Sequence, residues 1–98
     1  MTKRRKRAPT HPGGILKRQY LEPLSISMSE FARVLGVTRK TIGRIVNEQG
    51  AVSADMALRL SRAFNTSAEL WLNLQRNYDL WHAAEESDDW KKVESIAA

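Results

Sequence analysis

The amino-acid sequence predicts an all-α fold, a compact bundle of five short helices. Helix-capping residues recur at short intervals, each just ahead of an amphipathic segment. No stretch shows the sustained alternation of apolar and polar residues that is typical of a half-buried strand. Because 98 residues suffice for one hydrophobic core and the connections are short, we expect a single bundle.

The first three helices are marked by signals at their ends. Pro12 suits a first helical position, since the N–H that proline lacks would have no partner there, and Pro23 ends the segment. Ser27 followed by Glu30 three residues later forms a capping box, which predicts the start of the second helix. Thr38 is predicted to cap the third helix.

The later helices carry similar signals. Gly36 is the predicted left-handed residue that ends the second helix. Ser53 is the predicted cap of the fourth helix. Thr66 with Glu69 forms a second capping box, which predicts a long fifth helix that continues to about Glu86.

Charge and composition divide the chain into three parts. The net charge is +5 at pH 7, and the basic run at residues 3–7 accounts for this excess. We expect residues 1–10 to form a disordered basic arm, either a solubilising tail or an arm that binds DNA or a protein partner. Residues 11–86 form the helical domain, and residues 87–98 form an acidic extension, either a weak sixth helix or a frayed tail.

The segment around the second and third helices matches the requirements of a helix-turn-helix. Ala32 lets the two helices cross closely, and Gly36 followed by Val37 suits the tight turn between them. Ile42 and Ile45 lie on one side of the third helix, where they anchor it to the core. This spacing predicts that the opposite side of the third helix faces outward.

The outward side of the third helix is basic. Arg39, Lys40 and Arg44 lie on it, and the major groove of B-DNA is wide enough to admit a helix. Arginine and lysine can donate to both O6 and N7 of guanine, whereas Asn47 and Thr38 suit phosphate contacts. The pattern indicates a DNA-recognition helix, and a solvated basic face without a ligand is the alternative interpretation.

Gly43 is an unexpected residue on this outward side. A glycine inside a helix costs about 1 kcal/mol relative to alanine. One interpretation is that Gly43 lets the helix backbone lie close to the floor of the groove. The other is that an exposed position has simply drifted to glycine.

At these residues the sequence resembles a known family. The segment FARVLGVTRKTIGRIVN is similar to the helix-turn-helix of the Cro/C1 (XRE) regulators. The segments HPGGILKRQYLEPL and MALRLSRAFNTSAELWLNLQRNYDLW resemble the HigA antitoxins of bacterial type II toxin–antitoxin pairs. The resemblance extends over residues 11–81, most of the chain, although the basic run at residues 3–7 is longer than the family pattern.

The resemblance implies a function and a set of contacts. It implies a dimeric antitoxin that neutralises a HigB-type mRNA interferase and represses the operon shared by the two proteins. Its DNA would be a double-stranded operator with an inverted repeat. By position, the resemblance assigns DNA contacts to Thr38, Arg39, Lys40, Thr41 and Arg44.

The C-terminal half carries more apolar surface than one small core needs. One stripe of the fifth helix serves the core, and it comprises Leu70, Trp71, Leu74, Tyr78 and Trp81. A second apolar set is predicted to form a homodimer surface, and it comprises Leu72, Leu80, Trp90 and Val93. The alternative is that this set closes over the core of the monomer.

Acidic residues follow the same helix. Glu85, Glu86, Asp88 and Asp89 could contact the basic surface of an RNA-cleaving toxin. A solvated acidic tail is the more common explanation of such a cluster. The sequence therefore leaves the toxin-binding surface open.

The residue types argue against an enzyme. The chain has no cysteine and two histidines, His11 and His82, and His82 lacks a defined set of further metal ligands. We expect His11 to cap or order the first helix. No nucleophile triad or phosphate-binding glycine loop is present in the sequence, so we expect no metal and no cofactor. No membrane span or signal peptide is predicted, which favours the bacterial cytoplasm.

Two other function classes stay open at this point. A stand-alone XRE-type repressor would have the same helix-turn-helix but no toxin partner. A protein-interaction or RNA-binding module would hold nucleic acid through its basic arm without sequence preference. In that last case the third helix would be only a scaffold.

Overall fold

The computed structural model describes residues 8–97, so most of the predicted basic arm, residues 1–7, lies outside the described residues. Within the described range all regular secondary structure is helical, with no strand, which confirms the predicted all-α fold. The elements are α1 Pro12–Ile15, which continues as a π-helical segment Leu16–Leu21, then α2 Met28–Leu35, α3 Arg39–Val46, α4 Ala54–Phe64, α5 Ala68–Glu86 and a 3₁₀ turn Asp89–Lys92.

The predicted caps of α2, α3 and α4 are confirmed. The hydroxyls of Ser27, Thr38 and Ser53 each accept a hydrogen bond at 3.1 Å from the backbone N–H three residues later. Gly36 ends α2 with φ of 73°, the left-handed conformation that glycine adopts without strain. These caps satisfy helix-end donors and carbonyls that would otherwise lack partners.

The predicted cap of α5 is wrong by one residue. Ser67, not Thr66, accepts the hydrogen bond from the backbone N–H of Leu70, at 3.1 Å. The Thr66 hydroxyl instead accepts a hydrogen bond of 2.9 Å from Nε1 of Trp71, whose side chain is fully buried. A buried indole N–H needs an acceptor, and this requirement, which follows from the burial of Trp71 in the core, is not visible in the spacing of Thr66 and Glu69.

Two further elements differ from a simple helical pattern. The first helix changes to a π-helical segment, in which Leu16 and Leu21, five residues apart, are both buried. The sixth helix is reduced to the 3₁₀ turn Asp89–Lys92. All residues from Glu85 to Ala97 are exposed, so no buried apolar face supports a longer helix there.

The core lies between α1, α2, α3, α4 and the first half of α5. Its largest fully buried side chains include Trp71, Phe31 and Ile42. Tyr20 and Phe64 complete an aromatic cluster, with ring centroids 4.3 Å apart. The fully buried side chains of α3 show that this helix is part of the core and not an appendage.

α1 lies directly against the inner side of α3. A Cβ atom at Gly13 would be 1.8 Å from the backbone carbonyl oxygen of Ile45, so only glycine permits this approach. The position of α3 is therefore set by a backbone-to-backbone contact as well as by side-chain packing.

His11 lies at the junction of α1, α5 and the loop after α3. Its Nδ1 accepts a hydrogen bond of 2.9 Å from the backbone N–H of Gly13, which confirms that it caps the first helix. Its ring meets the ring of Tyr78 edge to face, with centroids 4.7 Å apart. Burial lowers the pKa of His11, although the charges of Glu48 and Asp79 and a hydrogen bond with the backbone of Gly50 oppose this shift.

The lowered pKa of His11 makes stability depend on pH. Between the lowered pKa of the folded state and the value of about 6.5 in the unfolded chain, the unfolded chain binds more protons. We therefore expect the free energy of unfolding to fall as the pH drops below about 6.5, by up to about 1.4 kcal/mol per pH unit. Urea denaturation followed by tryptophan fluorescence at pH 7.5 and 5.5 measures this change.

The matched control is His11→Asn, which keeps a side-chain acceptor for the N–H of Gly13 but does not titrate. This variant should show a smaller loss of stability between the two pH values than the wild type. An equal loss in both proteins would show that His11 does not cause it.

Candidate nucleic-acid interface

The two helices of the predicted helix-turn-helix are locked by their turn. Ala32 is 3 % exposed at their crossing. The backbone N–H of Val37 donates to the carbonyl of Ala32 at 3.0 Å, which closes the turn around Gly36. Nη1 of Arg59, from α4, donates to the carbonyl of Leu35 at 2.7 Å. The predicted anchors Ile42 and Ile45 are buried, and α3 is therefore held rigidly relative to α2.

The exposed side of α3 carries the predicted basic residues. Arg39, Lys40 and Arg44 are all exposed, and helical periodicity places them with Asn47 on the side opposite Ile42 and Ile45. Within residues 8–97, no carboxylate forms an ion pair with these three side chains. Three positive charges are thus presented to the outside without a neutralising partner from the described chain.

The two threonines at the start of α3 share a hydrogen bond. Their hydroxyl oxygens lie 2.9 Å apart, and Thr38 also accepts from the N–H of Thr41. If Thr41 donates its hydroxyl proton to Thr38, the hydroxyl proton of Thr38 stays available for an outside acceptor. The exposed Thr38 side chain can therefore cap α3 and donate to a phosphate at the same time.

The structure adds neighbours that the sequence did not indicate. Thr41 and Arg44 line a cleft that continues to Gly50, Ala51 and Ser53 at the start of α4. At the other end of α3, Asn47 borders a groove shared with Lys17, Ser27 and Met28. These residues come from the loop between α3 and α4 and from the segments around α1 and α2, so the tertiary packing reveals that they border α3.

A buried glutamine connects this region to α5. The side-chain oxygen of Gln75 accepts a hydrogen bond of 2.8 Å from the backbone N–H of Val52, in the loop between α3 and α4. Its side-chain nitrogen donates to Asp79 at 2.9 Å. The loop behind the basic side of α3 is thereby tied to the long last helix.

Neither a metal-binding cluster nor a membrane-spanning helix occurs among the described residues. Across residues 8–97, no group of three or more histidine, cysteine or acidic side chains is arranged to hold a metal ion. None of the helices in that range combines the length and the apolar character that crossing a membrane requires.

Comparisons with known proteins agree with this geometry. A family model described as helix-turn-helix matches residues 17–71. An uncharacterised helix-turn-helix transcriptional regulator of Haemophilus influenzae is 45% identical over 75 residues, which are 76% of this chain and 70% of the regulator.

Two solved structures of DNA complexes are also similar. The Pseudomonas aeruginosa antitoxin HigA with the higBA promoter is 42% identical, with a TM-score of 0.84 over 90% of this chain and 98% of that one. The antitoxin GraA in complex with its operator is 39% identical, with a TM-score of 0.88 over 99% and 100% of the two chains. The family acts by binding DNA and not by catalysis. This chain belongs to the helix-turn-helix family of DNA-binding proteins that includes the HigA antitoxins.

Proposed function

We propose that this protein is a DNA-binding antitoxin that represses its own operon as a dimer and neutralises a HigB-type mRNA interferase in the bacterial cytoplasm. The observation that carries the proposal is the exposed side of α3, which presents Arg39, Lys40 and Arg44 without an ion pair to any carboxylate of residues 8–97. Relatives of about 40% identity that are bound to an operator or a promoter support it.

In this proposal α3 enters the major groove of the operator. Arg39, Lys40 and Arg44 donate to guanine edges, and each good bidentate contact supplies about 1–3 kcal/mol of discrimination. Thr38 and Asn47, at the two ends of α3, contact phosphates and set the register of the helix. Thr41, which lines the same cleft as Arg44, is assigned a DNA contact at the edge of the interface.

The proposed dimer forms through the C-terminal half of α5. The buried residues of α5 are Trp71 and Gln75, so the helix beyond them leaves the core. Leu80 is 64 % exposed, and Trp90 and Val93 are 51 % and 78 % exposed. Their exposure supports a docking surface over closure onto the monomer core. Leu72, which packs partly against the core, would lie at the inner edge of this surface.

A dimer also fits the recognition of an inverted repeat. Two copies of α3, about 34–36 Å apart, would meet the major groove on one face of the DNA. A two-fold axis at α5 presents the same surface from both chains.

Toxin binding is assigned to the acidic C-terminal half. Within the cluster of Glu85, Glu86, Asp88 and Asp89, the carboxylates of Asp88 and Asp89 lie 3.2 and 3.3 Å from the ammonium groups of Lys91 and Lys92. Exposed pairs of this kind contribute little energy, so a basic partner can replace the lysines at low cost. A neighbouring reading frame that encodes a small basic ribonuclease-like protein provides the test. If that protein co-purifies with this chain, the result favours an antitoxin over a stand-alone repressor.

The DNA-binding proposal is tested by fluorescence anisotropy on the DNA upstream of the protein's own operon and on scrambled DNA. We expect the wild type to prefer its own upstream DNA by at least about a thousandfold. Arg39→Ala/Arg44→Ala should lose most of that preference and keep weak, salt-sensitive binding. The control Arg62→Ala removes an exposed positive charge on α4, outside α3 and outside the proposed dimer surface, and should keep the preference.

Two outcomes would contradict the proposal. If the wild type showed no preference for its own upstream DNA, the proposed repression of its own operon would be wrong. If deletion of residues 1–7 abolished DNA binding while the α3 variant bound DNA as the wild type does, nucleic-acid binding would be assigned to the basic arm.

A further inference from the structure

Gly43 lies at the centre of the exposed side of α3. Arg39 and Lys40 precede it by four and three residues, and Asn47 follows it by four. Residues at these spacings are neighbours on one face of a helix. The side chains proposed to contact DNA therefore surround a position that has no side chain.

The backbone of α3 does not require a glycine at this position. Among the glycines, only Gly36 has a positive φ. The carbonyl of Gly43 accepts the ordinary helical hydrogen bond from the N–H of Asn47, at 2.9 Å. Any residue could adopt this conformation, and alanine would make the helix more stable than glycine does.

Packing within the chain does not require it either. A Cβ atom built at Gly43 would have no atom of the described chain within 4 Å apart from its two neighbours in sequence and the surrounding backbone of α3 itself. By contrast, a Cβ atom at Gly13 would collide with the backbone of Ile45 on the inner side of the same helix. A contact within the chain thus explains why position 13 has no side chain. No such contact explains why position 43 has none.

We propose that Gly43 is the point of closest approach between α3 and the operator, where the helix backbone itself meets the base edges on the floor of the major groove. Glycine allows close backbone approach to a ligand. The approach brings the short side chain of Asn47, on the same face, within reach of the DNA. This inference rests on the proposed DNA-binding function and deepens it.

Gly43→Ala tests the inference because it should change stability and binding in opposite directions. We expect the melting temperature to rise by about 4–8 °C, because the helix gains propensity without a clash. Affinity for the operator should fall about tenfold or more, comparable with one mismatched base pair. Binding to scrambled DNA should stay within about twofold of the wild type, since phosphate contacts dominate it.

The matched control is Ser61→Ala, on α4 and outside the proposed dimer surface, where alanine also raises helix propensity. This variant should be stabilised without any change in operator affinity. The inference would be overturned if Gly43→Ala were more stable than the wild type but bound the operator as tightly. It would also be overturned if Gly43→Ala were less stable than the wild type. A wild type that shows no preference for its operator would instead overturn the proposed function itself.

Discussion

Gly13→Ala is expected to lower the free energy of unfolding by about 3 kcal/mol, the upper end of the usual cost of overpacking a core. The added methyl group would lie 1.8 Å from the carbonyl oxygen of Ile45, and a backbone atom inside a helix cannot move aside as a side chain can. Either α1 or α3 must shift. Because α3 carries the proposed DNA contacts, we also expect that the molecules of this variant that still fold bind the operator more weakly than the wild type does.

Gly14→Ala is the control for this prediction. A Cβ atom there would meet the end of the flexible Arg18 side chain, at 2.8 Å, which can move away. Urea denaturation of both variants at pH 7.5 measures the difference. If Gly13→Ala is as stable as Gly14→Ala, then α1 and α3 are not in backbone contact in solution.

Leu80→Glu is expected to convert the protein to a monomer and to weaken operator binding by at least about a hundredfold. A charge at the centre of an apolar interface loses its hydration without gaining a partner. The two chains would then bind DNA separately, without the gain of about 10²–10⁴ that linked modules provide. The fold of the monomer should be unaffected, because Leu80 is 64 % exposed.

Leu58→Glu is the matched control, since Leu58 is 60 % exposed on α4 and not on the proposed dimer surface. Sedimentation velocity at micromolar concentration and anisotropy on the operator measure both effects. A Leu80→Glu variant that sediments and binds like the wild type would contradict the assigned surface, and a wild type that is a monomer would contradict the dimer.

Rules that relate nearby residues in the sequence were sufficient to predict much of this fold. The caps at Ser27, Thr38 and Ser53 and the left-handed Gly36 depend on residues within one helical turn, and they are predictable from spacing alone. The inner side of α3 was predictable for the same reason, because helical periodicity decides which residues share a face.

Features that depend on distant residues were not predictable. The role of Gln75 depends on Val52, which lies 23 residues away in the loop between α3 and α4. The α5 cap at Ser67 depends on a nearby residue, but on one whose burial is set by tertiary packing, because the buried N–H of Trp71 takes the Thr66 hydroxyl as its acceptor. The same limit applies to the interface. Its basic residues follow from one helix, whereas the cleft next to Arg44 forms only when α4 packs against α3.

The hydrogen bond between Gln75 and Val52 has a consequence for the proposed dimer. It joins α5, which carries the proposed dimer surface, to the loop that leaves α3. The distance between the two copies of α3 is then set by the angle at which two α5 helices cross. A protein of this architecture would adapt to a differently spaced operator by changing residues near Leu80, far along the chain from any residue that contacts a base.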